Sequence, residues 1–126
     1  MFSHVMVGAN DVEASKVFYD AILAALGYEA GVFDDKGRVF YFTPNGIFAI
    51  TKPIDGQAVT PGNGSTVGFA VKDPAEANAW HEAGLANGGA TCEDPPGVRE
   101  GAAGKLYLAY LRDPSGNKIC ALHRVE

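Results

Sequence analysis

Ser65-Thr66-Val67-Gly68-Phe69-Ala70-Val71-Lys72-Asp73-Pro74-Ala75-Glu76 is the stretch on which the fold turns, because it restates the opening of the chain 62 residues later. A short apolar run hands over to an acidic helix cap: Ser65 falls on Ser3, Val67 on Val5 and Asp73 on Asp11 without a gap. Farther along the same register, Trp80 falls on Phe18, Ala83 on Ala21, Leu85 on Leu23 and Gly89 on Gly27. Asp73-Pro74-Ala75-Glu76 joins a capping box to proline at the first helical position, and Asn10-Asp11 with Glu13 does similar work in the first copy. From Ala14, the spacing of Val17, Phe18, Ala21, Ile22 and Ala25 predicts a helix with one apolar stripe, stopped by Gly27. Ala79, Trp80 and Ala83 predict its counterpart, stopped by Gly88-Gly89.

Strand-like runs follow each helix. In the first half they are Tyr28 to Phe33, Arg38 to Thr43 and Gly46 to Thr51, separated by the turn formers Asp34-Asp35-Lys36-Gly37 and Pro44-Asn45-Gly46. In the second they are Ala90 to Glu93, Leu106 to Leu111 and Asn117 to His123, with a Pro/Gly-rich loop from Pro95 to Gly104 between the first two. Asp113-Pro114-Ser115-Gly116 places Asp, Pro and Gly where a type I turn favours them. The reading is an α+β chain of two tandem βαβββ modules, residues 1–52 and 65–126, joined by the turn-rich connection 53–64. With 126 residues, both modules are expected to form a single domain.

Composition narrows the partners. Hydrophobic residues make up 47% and charged residues 20%, the mean hydropathy is −0.01, and no apolar run approaches the roughly 18 residues of a membrane span. A net charge of −5 with a pI near 5.1, and no basic stripe, gives nucleic-acid binding little electrostatic support. The start lacks a basic segment and a cleavage site, which points to the cytoplasm. Cys92 and Cys120 lie far apart without CxxC spacing and read as free thiols. Small molecules, or a second copy of the chain, are the expected partners.

The duplicated unit, opened by His4-Val5-Met6-Val7 and Asp11-Val12-Glu13-Ala14-Ser15-Lys16-Val17-Phe18-Tyr19 and closed by Arg112-Asp113-Pro114-Ser115-Gly116-Asn117-Lys118-Ile119, resembles the glyoxalase, bleomycin-resistance and extradiol-dioxygenase superfamily of vicinal oxygen chelate proteins. The match spans the chain, and the run Arg112 to His123 looks like a glyoxalase-like subgroup of unassigned reaction. The resemblance implies an open, cupped mixed sheet with helices on the outside, a small-molecule site between the modules, and a homodimer. It leaves open a lyase or isomerase, or a metal-free sequestering protein of the bleomycin-resistance type. In metal-using members, four side chains from the first and last strands of the modules hold the ion. Here those positions carry His4, Thr66, Cys120, and either Ala49 or Ile50 depending on one gap. Only His4 and Cys120 are donors suited to a divalent metal, two where a catalytic zinc site normally keeps three protein ligands. A divalent metal cofactor is therefore disfavoured.

Residue chemistry supplies the other candidates. Strand alternation puts His4 on the side opposite Val5 and Val7, facing the cup if the valines face the helices, and an imidazole of ordinary pKa near 6.5 can act as general base. Thr66 offers a hydroxyl to a ligand in the same phase, though strand propensity alone accounts for it. Cys120 could be ligand, nucleophile or small buried hydrophobe. Arg99, in the loop 95–104 whose glycines permit movement over a site, could clamp a substrate carboxylate or be a solvated charge. Tyr41, Tyr107 and Tyr110 lie on strands facing either cup or core. His123 stands opposite Cys120 in strand phase, which disfavours a dyad, and His81 reads as a partly exposed helix residue.

Overall fold

The computed structural model describes residues 1–102 and 104–125; Ala103 of the loop 95–104 and Glu126 at the end of module two lie outside the described residues. Helix α1 (Val12–Ala24) starts where the Asp11 carboxylate accepts the Ala14 amide at 3.1 Å. It ends where Gly27, at φ 87°, turns the chain and the Tyr28 amide reaches back to Leu23 O. Its buried stripe is Val12, Ser15, Phe18, Tyr19, Ile22 and Leu23. The expected stripe was rotated: Val17 is 56% exposed, because turning Tyr19 and Leu23 inward buries far more surface than Val17 and the alanines offer. Helix α2 (Pro74–Ala86) is capped by Asp73, whose carboxylate accepts the Glu76 amide, while Glu76 reaches back to the Lys72 amide. Ala77, Trp80 and Gly84 form its buried face, so Ala79 is exposed where the sequence placed it inward.

Module one closes a four-stranded sheet of β1 (His4–Gly8), β2 (Val32–Phe33), β3 (Val39–Thr43) and β4 (Gly46–Thr51), in the order β1-β4-β3-β2 with β1 parallel to β4. β2 is shorter than the expected Tyr28 to Phe33. Gly31 donates to Asp20 and runs so close to β3 that a Cβ there would lie 2.4 Å from Val39, so ladder pairing begins only at Val32.

Module two repeats the plan with β5 (Val67–Ala70), β6 (Ala90–Thr91), β8 (Gly104–Arg112) and β9 (Lys118–Arg124), in the order β5-β9-β8-β6 with β5 parallel to β9. One strand is added. The stretch expected to be a mobile loop contains β7 (Gly97–Gly101), which pairs antiparallel with β8 from Gly97↔Leu108 to Gly101↔Gly104. The fold is thus α+β, with two tandem βαβββ modules building two open mixed sheets.

Each sheet turns one face to its helix and leaves the other uncovered by any helix, although Ala49, Leu108 and Cys120 on that face are themselves buried. Val5, Val7, Tyr41, Phe48 and Ile50 from module one join Val67, Phe69, Ala109, Leu111 and Ile119 from module two in one apolar cluster around α1 and α2. The helices pack directly on one another at Gly84, where a Cβ would lie 2.3 Å from Leu111 and 3.2 Å from Phe18 and Ile22. A polar clasp joins the modules at one end of this seam. The Tyr19 hydroxyl donates to the buried Asp113 carboxylate at 2.6 Å, and Asn117 donates both to Asp113 and to the Gly8 carbonyl, each at 2.8 Å. Asp113 also accepts the Ser115 and Asn117 amides, and Ser115 Oγ accepts the Asn10 amide. Phe18-Tyr19 and the Asp-Pro-Ser-Gly-Asn turn, singled out in the sequence, are therefore two sides of one inter-module fastening. Burial, the Asp113 charge and the hydrogen bond to it push the Tyr19 phenol well above its ordinary range.

Candidate functional site

The ladders fix which residues of the two modules correspond. Met6 pairs with Ala49 on β4, and Gly68, its counterpart 62 residues on, pairs with Cys120 on β9. Ala49, rather than Ile50, thus stands where Cys120 stands in module two, and the four positions read His4, Ala49, Thr66 and Cys120. His4 is exposed on the uncovered face, since its neighbours Val5 and Val7 pack into the core. Ser3 Oγ lies 2.8 Å from its Nδ1, which leaves Nε2 for a ligand. Thr66 is exposed just before β5, in phase with Gly68.

This donor set does not fit a metal centre. Ala49 offers no donor and is wholly buried, and a neutral threonine hydroxyl is a poor ligand. Burial pushes the Cys120 thiol up, an effect that Lys118 opposes and Glu93 reinforces, so the thiolate a metal needs is disfavoured. Among the described residues, no group of three or more His, Cys, Asp or Glu side chains is placed to hold an ion.

The remaining candidates fall on different surfaces. Arg99 is on β7, opposite Leu106, and so shares the uncovered face of the second sheet with Leu108, Tyr110 and Cys120. It is held in a paired strand, its Nη2 donating to the carbonyls of Asp94 and Pro95 at 3.0 Å, rather than riding on a mobile loop. Beside it Lys118 covers the Tyr110 ring and pairs with Glu93, the one non-glycine residue with positive φ among those described. Tyr41 must be struck from the site: it is buried under α1, its hydroxyl donating to Asp20 and Lys16 O. Tyr107 likewise packs against the core and donates to Asn78. His81 is half-buried on α2, where burial lowers its pKa against the opposing effects of the Tyr110 backbone and Glu82. His123 lies in odd phase to Cys120 on β9, as the alternation requires.

Concavities flank the first sheet. A broad one of about 870 Å³ lies within module one and its connection, walled by Met6, Phe33, Arg38, Thr51 and Ile54. A smaller one of about 280 Å³ is walled by both modules: β1 and the β3–β4 turn on one side, β5 on the other, and the end of α1 beneath. Leu23, Leu26, Phe48, Val67 and Phe69 make much of its apolar wall, with Ser3, His4, Tyr28, Thr43 and Asn45 as its polar residues. Of the residues chosen from sequence, only His4 lines it. The apolar wall was hidden among core residues. A usable signal was the mismatch between the halves, Pro44-Asn45-Gly46 standing where module two has the longer Asp113 to Asn117 turn.

Comparison with known proteins agrees with this architecture. The model of the Glyoxalase/Bleomycin resistance protein/Dioxygenase superfamily matches residues 1–121. A glyoxalase/bleomycin resistance protein from Albidiferax ferrireducens T118, known from its crystal structure, is 65% identical over 98% of this chain and 99% of its own, with a TM-score of 0.95. A glyoxalase-related enzyme from Fulvimarina pelagi (24% identity, 97% and 86% covered, TM-score 0.73) and lactoylglutathione lyase from Agrobacterium tumefaciens (21%, 97% and 92%, 0.66) share the fold.

Proposed function

Because the chain belongs to the glyoxalase/bleomycin resistance protein/dioxygenase superfamily, we propose that it binds a small organic molecule at the seam between its modules without a resident metal ion, as the sequestering members of that superfamily do. The observation that carries this reading is the donor set: of His4, Ala49, Thr66 and Cys120, only the imidazole is an effective ligand in its resting state. Pockets that bind small molecules are concave, mostly apolar and furnished with a few polar groups, which describes the seam pocket beside His4. Thr66, Cys120 and Arg99 stand on the adjoining uncovered face, within the same proposed cup.

Titration of the apo protein with zinc, nickel, cobalt and manganese is the direct test, read by calorimetry and thermal unfolding. The expected result is no saturable one-to-one binding and no rise in Tm, since a ligand bound only by the native state must raise apparent stability. Stoichiometric metal binding lost in both His4→Ala and Cys120→Ala would overturn it.

A lyase or isomerase reaction is the second reading, favoured by one observation: His4 lines the pocket with Ser3 on its Nδ1, which leaves Nε2 free of that contact and able to act as a general base. His4→Ala separates the two, since loss of a base abolishes turnover with affinity little changed, whereas loss of a ligand contact lowers affinity alone. Self-association belongs to the same proposal. Phe42, Phe33, Val32 and Met6 leave apolar side chains exposed in module one, and a second copy covering them would make a homodimer.

A further inference from the structure

The seam has two ends related by the repeat, and they are finished differently. At one end Asn117 and Asp113 reach across to Gly8 O and Tyr19, and Pro114 stands where a Cβ on Gly88 would meet it at 3.5 Å. At the other end the ladders place Thr43 where Asp113 stands and Gly46 where Asn117 stands, because Tyr41↔Phe48 and Leu111↔Ile119 are equivalent rungs. Gly46 has no side chain with which to reach Ala70, the counterpart of Gly8. Thr43 spends its hydroxyl on Gly46 O within its own turn. Leu26, the counterpart of Gly88, stands open as pocket wall. The cavity of about 280 Å³ lies where the second clasp would be.

The backbone at the two ends is alike, which gives the cavity a polar direction as well as a shape. Ala9 N donates to Thr51 O at 2.8 Å just past β1, and Val71 N donates to Leu122 O at 3.0 Å just past β5, so Gly8 and Ala70 present their carbonyls in the same sense. At Gly8 that carbonyl takes an N–H from Asn117. The counterpart carbonyl of Ala70 borders the cavity. No Lys, Arg, Asp or Glu lines the cavity, and most of its wall is apolar, leucine, isoleucine, valine and phenylalanine among it. Apart from the His4 imidazole, the cavity offers an ion no charged partner, so an ion held there would bear much of its desolvation cost. An apolar cavity of about 150 Å³ is enough for benzene, so this one has room for one or two fused rings.

Resting on the small-molecule reading above, we infer that the cavity takes a neutral aromatic molecule with a single N–H or O–H donor, of the phenol or indole class. The ring occupies the space between Leu23, Leu26, Phe48 and Phe69. Its donor takes the place at Ala70 O that the Asn117 amide takes at Gly8 O, and His4 Nε2 stands at the mouth.

The test is titration of ¹⁵N-labelled full-length protein with phenol and indole, alongside toluene, benzoate and benzylammonium, followed by amide chemical shifts. The expected result is saturable binding of phenol and indole that moves Leu26, Tyr28, Gly46 and Gly68, with toluene, benzoate and benzylammonium each at least tenfold weaker. Ala70→Phe, at an exposed strand position, and Leu26→Trp each fill the space and should weaken indole at least tenfold while leaving Tm within a few degrees. Having two variants guards against one failing to fold. Tightest binding of benzoate or benzylammonium, or shifts confined to other residues, would overturn this inference while leaving small-molecule binding intact. Absence of binding by all five probes, with a broad metabolite panel also failing to raise Tm, would remove both.

Discussion

Cys120 and Tyr19 show how one side chain's surroundings fix what it can do. Cys120 is 6% exposed and its thiol is pushed up by burial, whereas Cys92 is only half-buried. In native protein at neutral pH, iodoacetamide should therefore modify Cys92 and spare Cys120, with both reacting in denaturant; mass spectrometry of the labelled peptides checks this. Rapid native labelling of Cys120 would restore it as a nucleophile. Tyr19→Phe removes the donor to Asp113 and leaves a buried carboxylate short of one partner. Hydrogen bonds to charged groups contribute about 1.5–3 kcal/mol, so a loss of that size in urea unfolding is expected.

Among the elements, the two helices were the most legible and their facing the least. Caps at Asp11 and Asp73 and stops at Gly27 and Gly88 are local signals, written in neighbouring residues, and the structure keeps them. Which stripe turns inward is decided by distant partners such as Asp113, which is why Val17 and Ala79 were misplaced. β7 was hidden for a similar reason: Gly97-Val98-Arg99-Glu100-Gly101 has weak strand propensity, and pairing with β8 makes it a strand. The candidate site was less legible still. Alternation placed His4 correctly on the uncovered face, but Tyr41 could not be assigned a side without knowing that α1 offers Asp20 to its hydroxyl. The pocket wall depends on what a turn lacks. Gly84 marks where the helices meet. Gly84→Ala would gain about 1 kcal/mol in helix propensity and incur about 1–3 kcal/mol of overpacking against Leu111, Ile22 and Phe18. A net loss of about 1 kcal/mol is expected, seen as a lower Tm; a rise would mean that the helices separate freely.

For the whole molecule, the uncovered sheet faces matter most. Phe42 is 63% exposed and lies beside Phe40, with rings 6.1 Å apart, on the face that carries no helix. Light scattering at micromolar concentration should give twice the 13.2 kDa mass of the chain, and Phe42→Glu should shift the population toward monomer. A wild-type monomer at that concentration would remove the proposed homodimer. The clasp has a consequence for descent as well as for stability. Tyr19, Asp113 and Asn117 bond to one another and to Gly8, and none of them bonds to His4, Ala49, Thr66 or Cys120. The fastening is thus written in residues other than the four positions proposed for the site. A motif that serves as a rivet certifies that a chain folds like its kin, and leaves the trade it practises free to drift; a designer could graft a new reaction onto those four positions and leave the rivet in place.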